Sequence, residues 1–167
     1  SLLFTACIRH SFLSGDVLVS CLIPIPKNLR KSKQDSDNYR SIAIGSIVCK
    51  ILDLLVIARH GDVLNTSCLQ FGFKAKHSTI QCSFIIQEVL DHFVRNDSLC
   101  HVLLLDASKA FDRVHFVKLF ELLIKRNMCP LTILLLLHVY TNQCMIAKWN
   151  GCTSGSFTCS NGVSKVE

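Results

Sequence analysis

The sequence lacks several features that would mark a particular class of protein. It has only three prolines and one tryptophan, its cysteines form no CxxC pair, and it contains no internal repeat or low-complexity linker. The longest apolar run, LTILLLLHVY at 131–140, is about half of the roughly 20 residues that a membrane-spanning helix needs. The absence of CxxC pairs argues against a zinc ribbon, and the absence of internal repeats argues against a repeat protein. The shortness of the apolar runs argues against a membrane partner.

Cysteine is abundant, but its spacing does not suggest a disulfide framework. Ten cysteines are scattered through apolar stretches of the chain. Such a distribution is typical of free thiols that serve as small hydrophobic side chains in a reducing compartment. We therefore expect buried cysteines with no disulfide partner in an intracellular protein, with cytoplasm and nucleus both open.

The totals are those of one globular domain. The chain has 167 residues, 50% hydrophobic and 18% charged, with a net charge of +6 and a pI of about 8.9. A chain of this length can bury one substantial core. The basic excess suits an acidic partner such as nucleic acid, although many ordinary proteins are equally basic.

Hydrophobic periodicity predicts a mixture of helices and strands without a regular βαβ alternation, which favours an α+β fold. Pro24 and Pro26 should confine the first strand to an edge or an end of a sheet. Ser46 is expected to cap the second helix, and Pro130 to follow the end of the fourth. Helices are predicted over residues 2–13, 47–60, 80–96, 116–127 and 132–143, strands over 17–27, 101–106, 144–151 and 156–163, and a polar loop over 28–40.

One aspartate follows a strand-length apolar run. In HVLLLD (101–106), the pattern predicts a buried strand that carries Asp106 to its C-terminal end. A carboxylate oxygen is a hard ligand that suits Mg²⁺. A plain helix cap or turn residue is the alternative at this point.

The longer string LLLDASKAFDRV resembles the first catalytic-aspartate motif of the reverse transcriptase palm, in the form used by non-LTR (LINE-type) retrotransposons. The resemblance implies that Asp106 binds catalytic Mg²⁺ in a two-metal nucleotidyl transfer. It implies that Phe111 is the steric gate against a 2′-hydroxyl. Asp112 belongs to the same motif, and a structural role in an ion pair or cap is expected for it.

Flanking strings resemble other motifs of the family, in the family's order. LIPIPK (22–27) with DNYRSIAI (37–44) resembles the first fingers motif, although Ser41 stands where proline is usual. LQFGFKAKHST (69–79) resembles the second fingers motif, and WNG with SNGV resembles the approach to the next palm motif. The resemblance implies right-hand polymerase fingers over about 1–100, with an N-terminal extension, and a partial palm over about 101–167.

The basic residues take their expected roles from this resemblance. Lys27 and Arg40 would approach the triphosphate of an incoming deoxynucleotide, and Lys74 and Lys76 would touch template phosphates. An RNA template, a DNA primer and deoxynucleoside triphosphates are then the implied partners. A solvated run of charge is the alternative for the lysines. Trp149 is expected in the core rather than as a platform for a base.

The sequence departs from the family at its end. It contains no Asp-Asp pair, so the ADD-type hairpin that carries the second carboxylates is not present, and NGVSKVE stands where the family has NGVxQGG. Loss of one adenine from GTA AAG CAA GGT GGA gives GTA AGC AAG GTG GA, which encodes Val-Ser-Lys-Val and then Glu if a purine follows. A frameshifted polymerase fragment, inactive alone, is therefore expected. A non-catalytic nucleic-acid-binding remnant and a chain that does not fold stably are the alternatives.

Overall fold

The protein is described by a computed structural model that covers residues 2–108, 110–159 and 161–162. The last five residues, including the SKVE ending, lie outside the described part. The predicted α+β class is confirmed. The described α-helices are α1 Leu2–His10, α2 Ile47–Arg59, α3 Thr79–Arg95, α4 Phe116–Lys125 and α5 Pro130–Asn142, and short 3-10 helices span Gly15–Leu18 and Ser36–Asn38. The strands are β1 Val19–Pro26, β2 Tyr39–Ile44, β3 Cys144–Trp149, β4 Cys152–Thr153 and β5 Phe157–Thr158.

The chain divides into two compact units. The larger takes in residues up to 63 and from 110 onward, and the smaller comprises Leu64–Ser108. All of the described strands belong to the larger unit, where they form one sheet in the order β2-β1-β3-β4, with β5 also paired to β3. Strand β1 runs antiparallel to β2 and parallel to β3.

The register of β1 explains how a central strand tolerates its two prolines. Its pairing with β3 ends at Leu22, so Pro24 and Pro26 face only β2. The Lys27 amide donates to the Asn38 carbonyl at 2.7 Å. Because amides alternate in direction along a strand, positions 24 and 26 lie where the amide side faces away from β2. A missing N–H therefore costs no ladder bond there, and the predicted placement at a strand end is confirmed.

The core of the larger unit lies where three helices meet. Five side chains form it: Leu13, Leu18, Leu52, Val56 and Leu135, the last with no exposed surface. Helix α2 supplies two of them because its apolar positions recur at helical spacing. Its start follows the prediction, since the Ser46 side chain accepts a hydrogen bond from the Val48 amide at 3.2 Å.

Two predicted helix boundaries are wrong. Helix α1 ends at His10, before the predicted residue 13, because Ser11 has a positive φ of 49°. Helix α5 begins at Pro130, two residues before the predicted residue 132. Pro130 follows the end of α4 as predicted, and as the first residue of α5 its missing N–H is no loss because the first amides of a helix have no intrahelical acceptor.

The smaller unit differs most from expectation. Helix α3 forms as predicted, and Ser78 and Gln81 make a reciprocal capping box at its start. However, its apolar side chains are not buried, and Phe84 is 61% exposed. The strand predicted over 101–106 is wrong, since these residues have no regular structure and Leu105 is 87% exposed. An apolar run becomes a strand only when a neighbouring strand accepts its hydrogen bonds, and the described residues supply none to this segment.

The predicted burial of the cysteines is also wrong. All ten are unpaired, Cys68 and Cys152 are exposed and the other eight are only partly buried. Cys7 and Cys49 show the reason, because they pack at the margin of a small core. No helix in the described residues is long and apolar enough to cross a bilayer.

Candidate functional site

The two basic residues of the first fingers motif lie on one face of the sheet. Arg40 in β2 is exposed and pairs across the ladder with Ile25, so the two side chains share a face. Within the described residues, the Arg40 guanidinium makes no hydrogen bond or ion pair. Lys27 continues the register on the same face, and its Nζ donates to the Asp37 carbonyl at 2.8 Å. The arrangement leaves Arg40 available to a phosphate.

The loop between these residues is held in shape by one buried amide. Asn38 is 4% exposed. Its Oδ1 accepts from the Asn28 amide at 3.1 Å, and its Nδ2 donates to the Asn28 carbonyl at 2.9 Å. Because the bonds join the two ends of the loop, they close it across ten residues. The sequence analysis missed Asn38, although an asparagine at a loop end is a signal for such side-chain-to-backbone bonds.

Trp149 is not a core residue, and that prediction is wrong. It is 47% exposed and stands at the last position of β3. The Tyr39 ring meets it edge-on, with 5.0 Å between the ring centroids. The indole is held at the rim of the sheet because β3 extends past the last residue that pairs with β1.

Asp106 lies in the smaller unit and is exposed. Among the described residues, no group of three or more His, Cys, Asp or Glu side chains could hold a metal ion. A two-metal site needs carboxylates that bridge ions about 4 Å apart. Asp106 is one suitable ligand, but the described residues do not by themselves fit a pair of Mg²⁺ ions.

The two lysines of the second fingers motif also belong to the smaller unit. Lys74 is partly buried, and its Nζ donates to the Ser67 carbonyl at 3.1 Å. Lys76 is exposed and takes a positive φ of 62° in a turn before α3. Both contribute positive charge to this unit, while Lys27 and Arg40 contribute theirs to the larger one.

The part of the palm motif that follows Asp106 contacts Gly162 of the SNGV string inside the larger unit. The Gly162 amide donates to the Val114 carbonyl at 2.9 Å. A Cβ built on Gly162 would lie 3.1 Å from the Asp112 Cα and 3.3 Å from the Phe111 carbonyl oxygen. Gly162 also has a φ of +90°, so only glycine meets both conditions without strain. The contact brings the backbone of the predicted steric gate against a second motif.

A further cluster of ionisable groups lies between α2 and α5, and the sequence analysis missed it. Partial burial raises the pKa of the Asp53 carboxyl, although the residue as a whole is exposed. Burial, and then the nearby Asp53 charge, raises the pKa of Tyr140 and of Cys49. These side chains line a small cavity with Gln143, whose Nε2 is buried without a hydrogen-bond partner among the described residues.

Comparison with known proteins decides the family. The profile of the family described as "Reverse transcriptase (RNA-dependent DNA polymerase)" matches residues 25–163. The chain belongs to the reverse transcriptase family. The predicted resemblance is confirmed, and the matched range contains the second fingers motif, the first palm motif and all of the first fingers motif except its first three residues, 22–24.

Two curated relatives of the chain come from Drosophila melanogaster. "Probable RNA-directed DNA polymerase from transposon BS" is 27% identical over 119 residues, which is 68% of the chain and 13% of the relative. "Probable RNA-directed DNA polymerase from transposon X-element" is 26% identical over 133 residues, or 77% of the chain and 14% of the relative. The chain therefore spans about one seventh of the length of these relatives.

Proposed function

We propose that this chain forms the fingers and the first part of the palm of an RNA-directed DNA polymerase from a non-LTR retrotransposon. The observation that carries the proposal is the family match over residues 25–163, together with the two transposon relatives. In this assignment, residues up to about 100 act as fingers and those from about 101 as palm. RNA template, DNA primer and deoxynucleoside triphosphates are the proposed substrates.

The proposed residue roles follow the motifs. Asp106 is the carboxylate ligand that the chain would contribute to Mg²⁺, and Phe111 is the side chain that would exclude a 2′-hydroxyl. Arg40 and Lys27 would hold the triphosphate, which their shared face and the unpaired Arg40 guanidinium support. A guanidinium offers phosphate two parallel donors, so Arg40 would be the stronger contact.

We further propose that the chain does not polymerise DNA by itself. Mg²⁺, when bound in a complete polymerase, supplies charge stabilisation at the phosphates. Of the carboxylates that the resemblance assigns to Mg²⁺, the described residues contain one, Asp106, which is exposed, and they contain no group of three metal-ligating side chains. No catalytic step follows from that arrangement until further carboxylates join it.

The experiment that tests the proposal begins with the DNA that follows the codon for Val163, translated in all three forward frames. We expect an ADD-type box followed by a thumb in a shifted frame. A chain continued through that box should extend a DNA primer on an RNA template, and Asp106→Ala should abolish the extension. If no frame contains such a box, or if Asp106→Ala retains full extension, the proposed function is wrong.

A second candidate is a non-catalytic module that binds nucleic acid. The ordered basic loop favours it, since residues 27–40 contain five basic side chains and two aspartates. The logarithm of the affinity for RNA should then fall linearly with the logarithm of salt concentration, and Asp106→Ala should leave the affinity unchanged. A metal-dependent loss of binding in Asp106→Ala would contradict this candidate.

A further inference from the structure

A second candidate surface lies beside the basic loop formed by residues 27–40. A cavity of about 240 Å³ opens between this loop and the end of β3. Its walls combine aromatic and apolar side chains with two lysines. The lining residues that matter to the argument are Pro26, Leu29, Lys31, Lys33, Tyr39 and Trp149.

The cavity opens on the sheet face opposite Arg40. Side chains of paired residues share a face, and successive residues along a strand alternate between the two faces. Pro26 pairs with Tyr39, and Leu22 pairs with Ala147, two positions before Trp149. Tyr39 and Trp149 therefore lie on one face, while Arg40 lies on the other. The cavity is thus separate from the proposed triphosphate contact.

The walls of the cavity are fixed in place before any ligand arrives. The Asn38 amide closes the loop, and the Tyr39 hydroxyl donates to the Lys33 carbonyl at 2.9 Å. The same Tyr39 ring supports the indole of Trp149 edge-on. A ligand would therefore meet a formed surface and would lose little free energy in ordering it.

The chemistry of the walls selects the ligand. Trp149 keeps about half of its surface exposed, which leaves an indole surface available to a flat ring. The ammonium groups of Lys31 and Lys33 make no hydrogen bond or ion pair within the described residues. An aromatic platform next to unpaired cations is how proteins hold single-stranded nucleic acid, by stacking a base and attracting its phosphates.

We propose that this cavity holds one nucleotide of a single-stranded nucleic acid. Its base stacks on Trp149, and the flanking phosphates lie near Lys31 and Lys33. The inference rests on the proposed function and deepens it, because a polymerase that copies RNA must hold an unpaired strand. The cavity would add a contact to the nucleic-acid strand on the face of the β-sheet opposite Arg40.

The sole tryptophan makes the test direct. Trp149 is the only tryptophan in the sequence, so all indole fluorescence reports on this cavity. Titration of the 167-residue chain with octauridylate should quench the fluorescence in a saturable way, and a matched DNA octamer, octathymidylate, shows whether the cavity distinguishes RNA from DNA. A blunt duplex should quench far less, because its bases are already stacked.

Variants then separate stacking from charge. With a labelled octamer and anisotropy as the readout, Trp149→Ala should weaken binding about tenfold, and Trp149→Phe should recover part of the loss. Lys31→Ala combined with Lys33→Ala should reduce the slope of log affinity against log salt by about 1.4, or about 0.7 per lost phosphate contact. Lys148→Ala is the matched control, because Lys148 adjoins Trp149 but lies on the opposite face.

Four results would overturn the inference. The first two are absence of octamer binding, and octamer binding that leaves Trp149 fluorescence unchanged. The third is a change in the salt slope that is equal for Lys148→Ala and for the Lys31→Ala, Lys33→Ala double variant. The fourth is quenching by octaglutamate that is as strong as quenching by octauridylate. The last would assign the cavity to an acidic peptide. Failure of the proposed function is recognised separately, by the absence of an ADD-type box in the DNA, which does not involve Trp149. If Trp149→Ala fails to fold, the loop variant still decides, since both lysines are exposed.

Discussion

Single residues show how closely the sequence motifs of this chain are tied to backbone geometry. Gly162 in the SNGV string combines a positive φ with a close approach to the backbone of Phe111 and Asp112. The glycine is therefore needed for the local fold, independently of any nucleotide. Such a position links a sequence motif to a physical cause.

Gly162→Ala is expected to destabilise the chain by about 2 kcal/mol, because a Cβ adds backbone strain and meets the Asp112 Cα. Urea unfolding followed by circular dichroism measures the change. Gly155→Ala is the control, since nothing lies within 4 Å of a Cβ at Gly155. Equal stabilities of the two variants would contradict the assigned contact.

Asp53 should make stability depend on pH. Partial burial raises the pKa of its carboxyl in the folded chain, so the folded state binds the proton more tightly than the unfolded state. Stability should therefore fall as pH rises from the ordinary aspartate pKa of about 3.9 through the raised folded value. Asp53→Asn should remove this part of the pH dependence in urea unfolding between pH 4 and neutrality, and Ser83→Ala, which changes no ionisable group, should not. An unchanged profile in Asp53→Asn would contradict the assignment.

At the scale of elements, helix starts are better determined by local sequence than strands are. Ser46 and Ser78 both accept backbone hydrogen bonds at the positions where the following helices begin. A cap uses only residues within one turn of itself, so its sequence signal is complete. A strand needs a neighbour from elsewhere in the chain, and HVLLLD has none among the described residues.

Ser78→Ala should shorten or weaken helix α3 by about 1 kcal/mol, because the amide of Gln81 loses its acceptor. Hydrogen exchange of the amides in the first turn of α3 reports the local loss. Ser83→Ala, an exposed change inside the same helix, should slow that exchange slightly or leave it unchanged. Faster exchange in both variants would show that the capping box is not the cause.

At the scale of the whole molecule, the chain exposes an unusual amount of apolar surface. Leu103, Leu104 and Leu105 are each at least 80% exposed, and helix α3 has no buried side chain. Apolar surface of this kind promotes self-association.

Replacing Leu103 and Leu105 together by lysine should therefore raise the concentration at which the chain stays monomeric, without lowering its free energy of unfolding. Light scattering coupled to size-exclusion chromatography measures the first quantity, and urea unfolding the second. Leu135→Ala is the contrasting variant, because this leucine has no exposed surface and its truncation should cost about 3 kcal/mol. Strong destabilisation by the double lysine variant would show that the leucines are buried in solution.

Sequence alone determined the family, the α+β class and the helices α2 and α3, because motif order, helical periodicity and caps are encoded locally. It also supplied the candidate side chains Asp106, Phe111, Arg40 and Lys27, whose roles remain proposals. Tertiary structure decided which residues share a surface. The pairing of β1 with β2 and β3 placed Trp149 beside Tyr39 and away from Arg40, and the lack of a described neighbour left HVLLLD without a strand partner. Both facts depend on contacts between segments that are far apart in the sequence, and local sequence patterns do not encode such contacts.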